Sequence, residues 1–145
     1  MRILVADDDA NDAFLVQRAF ARAGVTFPLK VLRDGQEALD YLEGKGTFAG
    51  RKKEELPNTL ILDVKMPRLN GFDVLQWIKA SEVFRRLPVI MFSSSEELRD
   101  VNKAYDLGAS SYLVKPGSIE GLQAVVNGFV QYWTQINHWP NPAIA

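Results

Sequence analysis

Short apolar runs alternate with segments of helical period along the chain. Ile3-Leu4-Val5 reads as a first strand. Between Ala10 and Ala23, the residues Ala13, Val16, Ala19, Phe20 and Ala23 recur at helical spacing, and Gly24 supplies the stop. Leu29 to Leu32 is a weaker strand, expected at a sheet edge. Ala38, Leu39 and Leu42 mark a short helix ending at Gly44. Leu60-Ile61-Leu62 lacks polar alternation, as a strand covered on both faces does. Phe72, Leu75 and Ile78 predict a third helix, and Val89 to Phe92, opened by Pro88, a fourth strand. Leu98, Val101, Ala104 and Tyr105 give a fourth helix that stops near Gly108, and Tyr112 to Val114 a fifth strand. Ser118 can cap a last helix running through Leu122, Val126, Phe129, Trp133 and Ile136. Five strand–helix pairs in strict alternation predict an α/β fold, a doubly wound five-stranded parallel sheet with helices on both faces. The loops that follow its strands gather at the carboxyl edge, where ligands bind in such sheets.

One connection is unusually long. Gly44 to Pro57 holds three glycines and the charges of Lys45, Arg51, Lys52, Lys53, Glu54 and Glu55. It runs from helix to strand and so belongs at the end opposite the carboxyl edge. It reads as a solvated loop, with partner docking as the alternative.

Composition narrows the class. A chain of 145 residues with 47% hydrophobic and 24% charged residues fits one domain with a real core. Seventeen Lys and Arg stand against 18 Asp and Glu, a net charge of −1, without the basic surplus of a nucleic-acid binder. The absence of cysteine removes disulfides and thiolate metal sites. No apolar run has the length of a membrane span, and the N-terminus lacks the pattern of a signal peptide. The expectation is a cytoplasmic protein with no membrane and no nucleic-acid partner.

Candidate chemistry sits at the strand ends. The first strand ends in Asp7-Asp8-Asp9, the third in Asp63, the fourth in Ser93-Ser94-Ser95 and the fifth in Lys115-Pro116. Each alone has a bland reading. Asp9 or Asp12 can be helix caps, a serine triplet a turn, Lys-Pro a loop. Together they suggest a site. With the first and third strands adjacent, Asp63 lies beside Asp7 and Asp8. Like charges ~5 Å apart repel by roughly 3 kcal/mol at an effective dielectric of ~20. A hard divalent cation such as magnesium suits such an all-oxygen site, and Lys115 is the one amine on offer. A carboxylate so placed can act as a nucleophile toward a phosphoryl group, with Lys115 and the Ser93 hydroxyl covering its oxygens.

The segments ILVADDD, LILDVKMPRLNGFDVL, LPVIMFSSS and GASSYLVKP resemble response-regulator receiver domains over roughly residues 2–130. The resemblance implies the CheY-like strand order 2-1-3-4-5. It implies that Asp63 is the phosphoacceptor and that magnesium is held by Asp8, Asp63 and the Lys65 backbone carbonyl, with Asp7 acting through water. Ser93 is then the switch hydroxyl, Tyr112 the switch aromatic and Lys115 the phosphate-binding lysine, with a cis Lys115–Pro116 bond. The long loop and the ending FVQYWTQINHWP are similar to small stand-alone regulators that serve phytochrome kinases. Two positions depart from the commonest pattern, Gly117 after Lys-Pro and Ser93 in place of Thr; neither removes a required group.

The function expected is that of a single-domain two-component response regulator. A sensor histidine kinase, in the implied case of phytochrome type, phosphorylates Asp63, and a downstream protein target reads the result. Such a protein is no enzyme toward a separate substrate, though it catalyses its own phosphorylation and dephosphorylation. The alternatives are a phosphorelay intermediate and a non-phosphorylated pseudo-receiver. A haloacid-dehalogenase-type phosphatase would need an acid where Lys65 stands. A flavodoxin-like cofactor binder would need a phosphate loop where the three aspartates stand. Residues 1–136 are read as the receiver and 137–145 as a C-terminal tail with no output domain. A homodimer is expected through the last helix, with Trp133, Ile136 and Trp139 left uncovered. His138 is read as a surface residue.

Overall fold

The computed structural model describes residues 1–140. The last part of the expected tail, 141–145, lies outside the described residues. In chain order the elements are β1 (Ile3–Ala6), α1 (Ala10–Arg22), β2 (Leu29–Leu32), α2 (Gly35–Glu43), β3 (Thr59–Leu62), α3 (Gly71–Ala80), β4 (Val89–Ser93), α4 (Leu98–Asp106), β5 (Ser111–Val114) and α5 (Ile119–Val130). The five strands are parallel in the order β2-β1-β3-β4-β5, as expected.

Strand alternation divides the core into two apolar layers. Leu4, Ala6, Leu60, Leu62, Val89 and Met91 face α2, α3 and α4, packing on Leu39, Leu42, Phe72, Leu75, Ile78 and Ala104. Ile3, Val5, Ile61, Ile90 and Phe92 face the other way, against Val16, Ala19 and Phe20 of α1 and Val126, Phe129 and Val130 of α5. The central strands are therefore apolar on both faces, and polarity begins where they end. In register, Ala6 pairs with Leu62, so the next residues, Asp7 and Asp63, emerge side by side. The Asp63 amide donates to the Ala6 carbonyl at 3.0 Å and fixes that exit.

The helices start where short polar side chains replace missing backbone partners. Asp9 caps α1, Asp34 α2, Asn70 α3 and Ser118 α5. The turn before α3 is tight. Gly71 donates to the Val64 carbonyl at 2.8 Å, and its α-carbon lies so near the Asp63 carbonyl that a β-carbon would collide with backbone.

Two expectations change and one gains detail. The 44–57 segment is mostly exposed, as a solvated loop is, but it is ordered. It forms single 3-10 turns at Gly46–Phe48 and Lys53–Glu55. Arg51 folds back to donate to the carbonyls of Tyr41 at 2.6 Å and Leu42 at 3.0 Å, satisfying the open end of α2. The Tyr41 hydroxyl donates in turn to the Glu55 carbonyl at 2.7 Å. The last helix is also not uniform. Its α-helical part ends at Val130, and Gln131–Ile136 form a wider π-helical turn, in which the Thr134 hydroxyl donates to the Val130 carbonyl at 2.6 Å. Trp133 is half-buried there, stacked on Trp139 at 5.3 Å and tilted against Phe129 at 6.1 Å. It is thus covered within its own chain, and Tyr132 and Ile136 are the apolar side chains left exposed. Finally, no described peptide bond is cis, so Lys115–Pro116 is trans.

The turn at Gly71 yields a direct stability prediction. Gly71→Ala should lower unfolding stability by about 2–4 kcal/mol, since backbone on both sides must shift. Gly128→Ala, in the open interior of α5 with nothing within 4 Å of the added carbon, should raise it by about 0.5–1 kcal/mol. Urea denaturation of the two variants checks both signs.

Candidate functional site

The carboxyl edge of the sheet gathers polar groups from four strands. Asp7 follows β1 and Asp63 follows β3; both are buried, at 4% and 8% exposure, although they carry carboxylates. Asp8, one residue on, points to solvent. One oxygen from each of Asp7, Asp8 and Asp63 lies within 4.8 Å of the others. Buried carboxylates this close repel strongly unless a cation lies among them. Their donor set is all hard oxygen, which fits a divalent ion such as magnesium or manganese. The Lys65 side chain is exposed beside this cluster.

The cation the protein itself supplies is Lys115. Its amide is held by the Ser93 carbonyl at 2.7 Å, so the β4–β5 pairing aims the side chain. Its Nζ donates to Asp7 at 2.8 Å, Asp12 at 3.1 Å and Asp63 at 3.3 Å. Burial works against charge on this amine, but the three carboxylates outweigh it and hold its pKa above that of an ordinary lysine. Asp63 shifts upward too, to about 6. Burial is the main cause and Asp7 adds to it, while Lys115 and the Lys65 backbone amide pull the other way. The two shifts are compatible because the amine is shared among three acids, whereas Asp63 bears its own desolvation and its neighbour's repulsion.

Ser93 closes the set. It is fully buried at the end of β4, and its hydroxyl accepts from the Ser95 amide at 3.1 Å. Tyr112 of β5 packs against the α3–α4 side of the core, and its hydroxyl donates to the Ser95 carbonyl at 2.8 Å. The Ser95 hydroxyl donates to Asp100 of α4 at 2.6 Å. A chain of contacts thus runs from the residue after Ser94 to both α4 and β5. An arrangement of this kind can attack a phosphoryl group with Asp63, neutralise its oxygens with Lys115 and a cation, and report the change through Ser93 toward α4.

Sequence reasoning named Asp7, Asp8, Asp63, Ser93, Tyr112 and Lys115, and the fold brings all six to one edge. It missed Asp12, which reads as a first-turn acid near a helix start and here grips Lys115. The only signal was its place one turn above the acidic pair. His138 is exposed, away from these groups.

An acidic pair after β1, an aspartate after β3 and a lysine after β5, gathered at the carboxyl edge of a sheet ordered 2-1-3-4-5, are the arrangement of a receiver-type signalling domain. The chain belongs to the response regulator receiver domain family, whose model matches residues 3–127. It is 40% identical over 144 residues to the probable methanogenesis regulatory protein FilR2 of Methanothrix harundinacea, covering 97% of this chain and 88% of that one. Its fold is similar to that of response regulator RPA3017, in red light signaling of R. palustris, with a TM-score of 0.89, 34% identity and coverage of 96% and 97%. The phosphorylated cyanobacterial phytochrome response regulator RcpA gives a TM-score of 0.88 at 30% identity, with coverage of 96% and 97%. The Mn(2+)-bound form of response regulator Rcp1 gives 0.86 at 29% identity, with coverage of 96% and 98%. Receiver domains are signalling modules, and no helix among the described residues is long and apolar enough to cross a membrane.

The raised pKa of Asp63 predicts a pH-dependent stability. The unfolded chain releases this proton near pH 4, whereas the folded protein keeps it to about pH 6. The native state binds more protons in that window, so its stability falls as pH rises through it. In metal-free buffer, Asp63→Asn should be more stable than the wild type at pH 7 by on the order of 2 kcal/mol, and the gap should close toward pH 4. Urea unfolding at a series of pH values measures this.

Proposed function

We propose that this protein is a two-component response regulator whose Asp63 accepts a phosphoryl group from a histidine kinase and which signals through a phosphorylation-dependent protein contact. The observation that carries this reading is the Lys115 amine lying between Asp63 and Asp7 at the mouth of a buried acidic cluster. An Oδ atom of Asp63 forms the bond to phosphorus while the bond to the donor's imidazole nitrogen breaks and that nitrogen keeps the electron pair. Lys115 neutralises one phosphoryl oxygen and the Ser93 hydroxyl donates to another. Asp8, Asp63 and the Lys65 carbonyl, with Asp7 acting through water, would hold magnesium, which would supply the remaining charge neutralisation. The likeness to the Mn(2+)-bound form of Rcp1 supports the binding of a divalent ion.

Ser93 is the switch. Drawn toward the phosphoryl group, its hydroxyl gives up the Ser95 amide. That releases the loop whose carbonyl Tyr112 holds and whose hydroxyl is tied to α4. The response therefore appears on α4 and β5, where a protein target can read it. The kinase is of phytochrome type, a reading supported by the likeness to RcpA. The protein works in the cytoplasm and forms a homodimer. Tyr132 and Ile136, 50% and 60% exposed on the π-helical turn, supply the self-complementary apolar surface.

Acetyl phosphate with magnesium tests the acceptor. Wild type should shift on a phosphate-affinity gel and Asp63→Asn should not, a loss of more than about a hundredfold in labelling. Full labelling of Asp63→Asn would falsify the assignment. The dimer is tested by sedimentation. Wild type should associate in the micromolar range and Tyr132→Ala/Ile136→Ala should be monomeric. A wild type that stays monomeric at high micromolar concentration, with and without beryllium fluoride, rules it out.

A further inference from the structure

A lysine ammonium has three N–H donors, and those of Lys115 are all engaged, by Asp7, Asp12 and Asp63. Two of these acceptors belong to the converging acidic cluster. Asp12 does not. It comes from the first turn of α1 and approaches the amine from the solvent side, 39% exposed against 14% for the lysine side chain. The helix start does not need it as a cap, because Asp9 already accepts from the amides of Asn11 and Asp12. Its contact with Lys115 is the only hydrogen bond its carboxylate makes among the described residues.

We propose that Asp12 is a positioning residue that competes with the incoming phosphoryl group for Lys115 and so restrains phosphorylation of Asp63. The inference rests on Asp63 being the phosphoacceptor. With every N–H of Lys115 occupied, a phosphoryl oxygen gains one only when a carboxylate releases it. Asp7 is buried and cannot turn to water without a desolvation conflict. Asp63 keeps its share of the amine until its oxygen bonds to phosphorus, so it frees no N–H for the approaching group. Asp12 is the exchangeable partner, since its exposed carboxylate is rehydrated at small cost. It makes no bond to phosphorus and moves no proton. Its effect is to hold the amine away from the incoming oxygens.

Asp12→Asn keeps the shape and an acceptor oxygen but removes the charge. At saturating magnesium it should bind beryllium fluoride about three- to tenfold more tightly than wild type, the size of a partly exposed charge interaction, and label faster with acetyl phosphate by a similar factor. Asp12→Glu, which restores the charge, should return toward wild type. A merely structural role would shift thermal stability without this affinity pattern. In a Lys115→Met background the Asp12→Asn gain should fall below about twofold, because the competition has lost its object. The Asp12→Asn and Asp12→Glu contrast decides alone where Lys115→Met binds too weakly to measure. The proposal is overturned when Asp12→Asn binds no more tightly than wild type, when Asp12→Glu behaves like Asp12→Asn, or when the gain persists without Lys115. A wild type that binds no beryllium fluoride and takes no label overturns the phosphoacceptor reading itself, which separates the two failures.

Discussion

Everything at the carboxyl edge depends on one ammonium among carboxylates. Asp7 and Asp63 are buried side by side because β1 and β3 are paired in register and both end at the same level. Without Lys115 that pair would meet only its own repulsion in a poorly solvated place. The lysine reaches it from β5, two strands away from β3, so the whole span β1-β3-β4-β5 must be in register for the contact to exist. A one-residue slip of β5 would turn Lys115 to the opposite face and leave two buried acids unpaired. The interaction thus couples the chemistry to the correctness of the sheet.

The apolar layers supply the rigidity that makes this arrangement useful. Both faces of β1, β3 and β4 are closed by helices, so the strand ends cannot relax away from one another. Charge that cannot disperse by movement is expressed as shifted proton affinity, upward at Asp63 and upward at Lys115. The same stiffness confines a response to the loops. Ser93 is fully buried, but the Ser95 backbone and hydroxyl, two residues later, connect it to β5 and α4. The least buried strand is β5, whose Val114 is exposed, so the sheet's more open side lies next to that loop.

The fold was legible because its signals are local and agree with one another. Leu60-Ile61-Leu62 announces a strand covered twice, and Asp9 and Ser118 announce helix starts where they occur. The site was legible because each polar residue stands at the end of such a strand, so topology alone converges Asp7, Asp63, Ser93 and Lys115. What stayed hidden depends on contacts between distant segments. Nothing near Asp12 in the chain reveals a lysine 103 positions away. The 44–57 segment has the composition of a solvated loop, and its order comes from Arg51 reaching the end of α2. The periodicity of Phe129, Trp133 and Ile136 predicts a continuing helix, yet helical spacing cannot register a widening to a π turn. Nor could it foresee that Trp139 would fold back on Trp133.

The central claim is that phosphoryl chemistry occurs on Asp63 and on no other acid of the cluster. Borohydride reduction of the protein after treatment with acetyl phosphate and magnesium, followed by peptide mass spectrometry, reads this directly, since an acyl phosphate is reduced at the residue that bore it. The account predicts reduction at Asp63 alone, dependent on magnesium. Reduction at Asp7, Asp8 or Asp12, or none at any of them, would contradict it.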